Sequence, residues 1–161
     1  MGKADNDPSP NVRHSRYTIV EVTIPCPSCT KVTAAFAFAL PAGHESLNPA
    51  DEMPEDVSDA WETTEFASVL SYVEYLPDAV INRVVSLTAH YRLESDPDGS
   101  NRYWKNHCEH CRKTIGEELL HEDLDSPFGT GTSAPIQLHH VREPFEASVG
   151  AESFEVKILD G

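Results

Sequence analysis

The strongest periodic signals lie in two short runs near the N-terminus. Residues 17–24 (YTIVEVTI) alternate and are β-branched, which predicts a strand that Pro25 ends. Residues 31–40 (KVTAAFAFAL) alternate again and set Phe36 and Phe38 on one face, which predicts a second strand. Residues 65–76 (EFASVLSYVEYL) fit both periods: Phe66, Val69, Leu70 and Val73 suit a helix, while Val69, Ser71, Val73 and Tyr75 suit a strand. Aromatic and β-branched content favours a strand for the second half. Pro77 then suits the first position of a helix, with Asp78 in its first turn and Val80, Val84 and Leu87 at helical spacing to about Thr88.

Further along, residues 90–94 and 102–107 flank the turn signal Asp96-Pro97-Asp98-Gly99 and predict a hairpin. Residues 115–123 predict a short helix with Leu119 and Leu120 inward. Residues 136–141 and 154–159 predict a closing strand pair. Residues 1–15 are expected to be a disordered leader, and 16–161 one domain. An acidic loop is expected over 41–60, where Pro, Asp, Glu, Asn and Ser concentrate.

This element order fixes where the four cysteines fall. Cys26 and Cys29 sit in the turn between the first two strands, and Cys108 and Cys111 follow the later hairpin. Two residues between cysteines let the backbone turn so that both sulfurs face one point, and two such turns make a tetrahedral all-sulfur site suited to zinc. Four thiolates close the coordination sphere, so the ion is expected to hold structure, with no position left for a catalytic water. Iron on four thiolates is the less favoured alternative. His107 and His110 are expected beside the site or at the surface, because all four cysteines are already in register. The gap of residues 30–107 exceeds that of a compact zinc ribbon. The expected fold is therefore α+β: zinc-ribbon-like β-hairpins forming a mixed sheet, with one or two short helices in the insertion. Trp104 is expected over the metal site or in the adjoining core.

Charge narrows the function. The chain of 161 residues holds 27 acidic residues against 12 Lys and Arg, a formal net charge of −15. From residue 32 to 82 there is no Lys or Arg, and ten carboxylates. A nucleic-acid binder needs the opposite bias, so a zinc-ribbon nucleic-acid role is disfavoured. No membrane-length apolar run and no secretory leader is present, which makes the cytoplasm the expected compartment and metal ligation the expected use of paired cysteines.

Enzymatic signatures are sparse. No phosphate-binding glycine loop and no nucleophile elbow occurs. His139-His140 resembles the opening of an HNH nuclease motif, but neither Asn nor His follows His140. A redox role for Cys26/Cys29, or hydrolysis by metal-proximal histidines, is the alternative to a non-enzymatic protein-binding role. The favoured expectation is a zinc-stabilised acidic inhibitor or immunity-type partner of a basic protein.

Tyr103-Trp104-Lys105-Asn106-His107-Cys108-Glu109-His110-Cys111, with the early Cys26-Pro27-Ser28-Cys29, resembles an uncharacterised bacterial zinc-ribbon-like family. That family carries an early Cys-Pro-x-Cys and a later Tyr-Trp-x-Asn-x-Cys-x-x-Cys. The likeness spans about residues 18–130. It implies zinc and a small bacterial protein, with no assigned activity. The family typically has glycine after the second pair, where this chain has Arg112.

Overall fold

A computed structural model describes residues 9–47, 61–122, 126–129 and 134–154. Its strands are β1 (Val12–His14), β2 (Tyr17–Pro25), β3 (Val32–Leu40), β4 (Glu45–Leu47), β5 (Trp61–Thr63), β6 (Ser68–Tyr75), β7 (Tyr91–Ser95), β8 (Arg102–His107), β9 (Thr114–Ile115), β10 (Ile136–Val141) and β11 (Phe145–Phe154). Helix α1 is Asp78–Val85 and helix α2 is Glu117–His121. Eight strands form one sheet in the order β10-β2-β3-β6-β11-β1-β4-β5, and β7-β8-β9 form a second. Every pairing among the described strands is antiparallel, so the expected mixed sheet is corrected. The α+β class holds.

The alternation in β3 explains why this sheet has two cores. Phe36, Phe38 and Leu40 face one side and join Tyr17, Ile19, Leu70 and Phe145. Helix α1, through Val80 and Val84, and the second sheet, through Tyr91 and Trp104, cover that side. Ala35, Ala37 and Ala39 face the other side with Val20, Val22 and Ile24, beneath Ile115, Leu120 and Phe128. Small residues on this face let α2 and its flanks approach closely, so a strand buried on both sides keeps a dense layer on each.

The two sheets meet where β3 and β6 diverge. Those strands pair only at Ala39↔Val69 and Leu40↔Ser68, and the rest of that β3 edge has no strand partner among the described residues. Side chains of β8 and the turn after it complete the edge, as described below. Further along β6, Tyr72 has a φ of 54°, and the β6–β11 register shifts between Ser148 and Val149. Gly150 lies against this kink, where a Cβ would stand 2.9 Å from the Tyr72 Cβ. The kink turns the Tyr72 N–H toward Glu117 Oε2 at 2.9 Å, which ties α2 to β6.

Several expectations shift in detail. Residues 12–14, assigned to the leader, form β1 with Val12 buried, so the ordered domain begins before residue 16. Residues 45–47 of the expected loop form β4, while 1–8 and 48–60 lie outside the described residues. The ambiguous 65–76 segment is strand β6. Helix α1 ends at Val85, leaving Leu87 exposed, and Pro77 is its N-cap. One helix lies in the insertion and the other follows the second cysteine pair. Leu120 is inward but Leu119 is exposed. Of the expected closing pair, residues 136–141 form β10, which adds to β2, while 155–159 lie outside the described residues; β11 runs between β6 and β1. No helix among the described residues is long and apolar enough to cross a membrane.

Candidate metal centre

Each cysteine pair occupies a tight turn between two antiparallel strands, and the two turns share one hydrogen-bond pattern. In the first, between β2 and β3, Cys26 N–H donates to Lys31 O at 2.9 Å and Thr30 N–H to Cys26 O at 2.9 Å. In the second, between β8 and β9, Cys108 N–H donates to Lys113 O at 3.0 Å and Arg112 N–H to Cys108 O at 3.0 Å. The Cys26 sulfur accepts the N–H groups of Ser28 and Cys29 at 3.3 and 3.5 Å. The Cys108 sulfur accepts those of His110 and Cys111 at the same two distances, 3.3 and 3.5 Å. The residue after each pair turns left-handed, Thr30 at φ 66° and Arg112 at φ 69°. That conformation favours glycine, and here both turns hold a residue with a Cβ in it.

The turns place the sulfurs of all four cysteines within 4.8 Å of one another. Cys26 Sγ lies 3.7 Å from Cys111 Sγ, and Cys29 Sγ lies 3.6 Å from Cys108 Sγ. A tetrahedron of thiolates around an ion with metal–sulfur bonds of about 2.3 Å has edges of roughly 3.8 Å. A disulfide needs about 2.05 Å, and the four thiols are free. The donor set therefore fits one tetrahedral metal ion such as zinc. Cys26 and Cys108 are buried and Cys29 and Cys111 half-buried, so the site sits at the rim of the alanine-faced core. Cys26/Cys29 lies between two strands, not at a helix start of the kind that activates a redox thiol.

Electrostatics shows why these sulfurs call for a cation. N–H donation, first from Cys29, holds the Cys26 thiol below its ordinary value. Burial pushes Cys108 up, yet the N–H groups of Cys111 and His110 and the neighbouring sulfurs outweigh it and bring it to about 6. Cys111 goes the other way: the Lys113 N–H pulls it down, but burial and the three other sulfurs raise it to about 11. Four adjacent thiolates repel, so full ionisation needs a positive ion among them.

Asn106 locks the second turn to the first. It is 1 % exposed, its Nδ2 donates to Phe36 O at 3.0 Å, and its Oδ1 accepts Phe36 N–H at 2.8 Å. One amide side chain thus substitutes for a neighbouring strand along the β3 edge. Glu109 Oε2 accepts Ala34 N–H at 2.9 Å, and Thr33 Oγ1 accepts Glu109 N–H at 3.0 Å. These contacts bring residues more than 70 apart into register beside the cysteines. The sequence reading quoted Asn106 within its motif but assigned it no role. Lys105, Asn106 and His107 are all polar, but the two-residue period sets Asn106 on the face of Trp104 and Cys108, and a polar residue on that inward face is the signal that could have found it.

The histidines stay out of the sulfur cluster. His107 is buried and bonds Glu94 through Nε2 at 2.9 Å, and exposed His110 bonds Val32 O at 3.0 Å. Trp104 packs in the phenylalanine-faced core, 5.6 Å from the Tyr91 ring. His139 and His140 bond Glu21 and Thr18 on opposite faces of β10. A separate buried network, absent from the sequence reading, joins His44 Nε2 to Glu152 Oε1 at 2.8 Å, with Ser68 on the same oxygen at 2.9 Å and Ser46 on Oε2 at 2.7 Å. It ties β4 and β6 to β11. Comparison with protein-family models, curated proteins and solved structures finds no match for this chain.

Proposed function

We propose that Cys26, Cys29, Cys108 and Cys111 hold one structural zinc ion, and that the stapled domain is a non-enzymatic module that binds a basic protein. The observation that supports this most directly is the closed set of four sulfurs within 4.8 Å, which leaves no coordination position for water or substrate. A four-thiolate set suits zinc or iron, and the resemblance to the zinc-ribbon-like family favours zinc. The zinc binds the β2–β3 turn to the β8–β9 turn, so losing either pair unties both layers.

A basic partner is favoured by net charge and by the surface beside α2. Tyr72 and Tyr103 form an edge-to-face pair with ring centroids 5.1 Å apart, both half-buried. The charges of Glu118 and Glu117 act on both rings, and that of Glu122 acts on Tyr72. Lys105 Nζ already lies 4.8 Å from the Tyr103 ring centroid, and the Tyr72 ring bordered by carboxylates suits a further Lys or Arg side chain. Glu62, Glu65, Glu74 and Asp78 are exposed as well.

The test has two arms. Metal analysis of the purified chain is expected to find one zinc per chain, and chelation to lower the melting temperature by at least about 10 °C, given apparent zinc affinities of about 10–16 kcal/mol in small domains. Immobilised chain is expected to capture basic proteins at low salt, with release at high salt and loss on Glu118→Lys/Glu122→Lys substitution. Capture of acidic proteins, tight binding of DNA or RNA at roughly 150 mM salt, or dithiol cycling of Cys26/Cys29 without metal release would overturn the reading.

A further inference from the structure

The open end of the β2–β10 ladder carries an arrangement at odds with the rest of this acidic chain. Thr18 pairs with His140 and Tyr17 with Val141, and there the ladder stops. The residues next to these on the two strands are Arg16 and Arg142, two exposed arginines at adjoining positions. Like charges set opposite across a strand pair are unfavourable. Neither arginine has a carboxylate within ion-pair distance among the described residues, although the chain holds 27 acidic residues. The closest acidic residue in sequence, Glu143, is engaged instead by Arg83, which donates to both of its oxygens at 3.1 and 2.6 Å.

These two arginines border a cavity. Its volume is about 300 Å³, its lining includes Arg16, Arg142, Thr18, His140 and Pro41, and it contains no carboxylate. Thr18 Oγ1 and His140 Nδ1 stand 3.0 Å apart, which fixes the imidazole, and Nε2 has no hydrogen-bond partner among the described residues. Two guanidinium forks border one hollow, and the Thr18–His140 pair leaves one further donor beside them, Nε2–H or the hydroxyl according to the tautomer; no carboxylate among the described residues pairs with the guanidiniums. Arginine forks match the oxygens of a tetrahedral oxyanion, and two of them balance two negative charges. About 300 Å³ exceeds what one anion needs and reaches the lower range of small-molecule sites.

We infer that this cavity is an anion site that binds the phosphate group of a small phosphorylated molecule, with Arg16 and Arg142 clamping the phosphate and His140 and Thr18 at its floor. The site lies on the β2–β10 edge, and the inference is independent of the zinc and of the acidic protein-binding surface. An acidic protein repels anions at long range, so the site selects by close contact and not by steering.

The experiment titrates the zinc-loaded full chain with inorganic phosphate, followed by amide and arginine Nε resonances, with chloride at equal ionic strength as the reference. Saturable shifts centred on residues 16–18 and 140–142 are expected, with stronger binding of glycerol 3-phosphate if the extra volume is used and equal binding if free phosphate is the ligand. Arg16→Gln and Arg142→Gln should each weaken phosphate binding about tenfold. Each should also leave the ligand-free melting temperature unchanged or raise it by about 1–2 °C, because a like-charge pair is removed. An Arg92→Gln control, at a residue outside the cavity lining, should bind as the parent does. Absence of a response beyond that to chloride, acetate binding as well as phosphate, or unchanged binding in the arginine variants would overturn the inference. So would a fall in melting temperature that accounts for the lost binding.

Discussion

Replacing Asn106 by alanine tests the claim that one side chain completes the edge of β3. The truncation removes a donor and an acceptor that face Phe36 N–H and C=O at 2.8 and 3.0 Å. Asn106 is 1 % exposed and Phe36 3 %, so water has little access to either stranded group. An unsatisfied buried polar group costs about 1–3 kcal/mol, and two are created. With partial relaxation the expected loss is about 2–4 kcal/mol, or a melting temperature lower by roughly 4–16 °C in a chain of this size. Glu109→Ala serves as the comparison: it removes the acceptor for Ala34 N–H, but Glu109 is exposed and water can take its place. That loss should stay under about 1 kcal/mol.

The assay is urea unfolding of zinc-loaded protein at fixed free zinc, with metal content measured on each variant. Asn106→Ala should lower the midpoint with the slope unchanged and the zinc retained. Asn106→Asp is the sharper probe. It keeps an acceptor for Phe36 N–H but turns the donor into a carboxylate oxygen facing Phe36 O, so its loss at neutral pH should exceed that of alanine. If Asn106→Ala costs less than about 1 kcal/mol, or no more than Glu109→Ala, the amide is not acting as a strand surrogate. If it loses zinc before it unfolds, its role belongs to the metal turn and not to the β3 edge.

Two further outcomes follow from the backbone and the buried network. Thr30→Gly and Arg112→Gly should each stabilise the zinc-bound domain by about 0.5–1 kcal/mol in the same urea assay, because both residues are left-handed; destabilisation would show that their side chains matter more than their φ. Burial pushes the Glu152 carboxyl up, but hydrogen bonds from His44, Ser46 and Ser68 outweigh it and hold its pKa below the ordinary value. A carboxyl lowered by folding stabilises above its unfolded value of about 4.3, and that contribution is lost as pH falls through the folded value. Glu152→Gln should therefore be less stable than the parent at pH 7, with the gap closing toward about pH 3; a gap that widens in acid would refute this sign.

The parts of this molecule legible in its sequence are those set by local pattern. The β2–β3 hairpin followed from alternation in residues 17–24 and 31–40, and the β7–β8 hairpin from its Asp-Pro-Asp-Gly turn. The four ligand candidates followed from spacing alone and converge as spacing requires. What escaped is what long-range pairing decides. Val12–His14 is three residues of strand in a polar leader, and nothing local marks it, because its partners lie at residues 45–46 and 145–147. The partner of residues 136–141 was not legible for the same reason: an alternating segment states that it will pair and does not name its neighbour, and β10 adds to β2. Leu119 and Leu120 could not be ranked without knowing which side of the helix the alanine face would meet.

Asn106 and the cysteines show how the two kinds of information combine. A four-sulfur site between turns 79 and 85 residues apart in its sulfur contacts cannot form until the long insertion has folded back. Metal alone fixes four sulfurs at a point and leaves the angle between the hairpins open. The Asn106 amide removes that freedom, because it meets Phe36 through both a donor and an acceptor and so sets β8 against β3 in one register. Glu109 and Thr33 repeat the constraint one turn nearer the sulfurs. The four sulfurs are thus brought together by polar contacts that lie outside the cluster, in the way that residues behind a metal site orient its ligands. On this reasoning Asn106→Ala and Glu109→Ala combined should lower zinc affinity more than the two single changes add up to, since each alone still leaves one clamp to hold the hairpins in line.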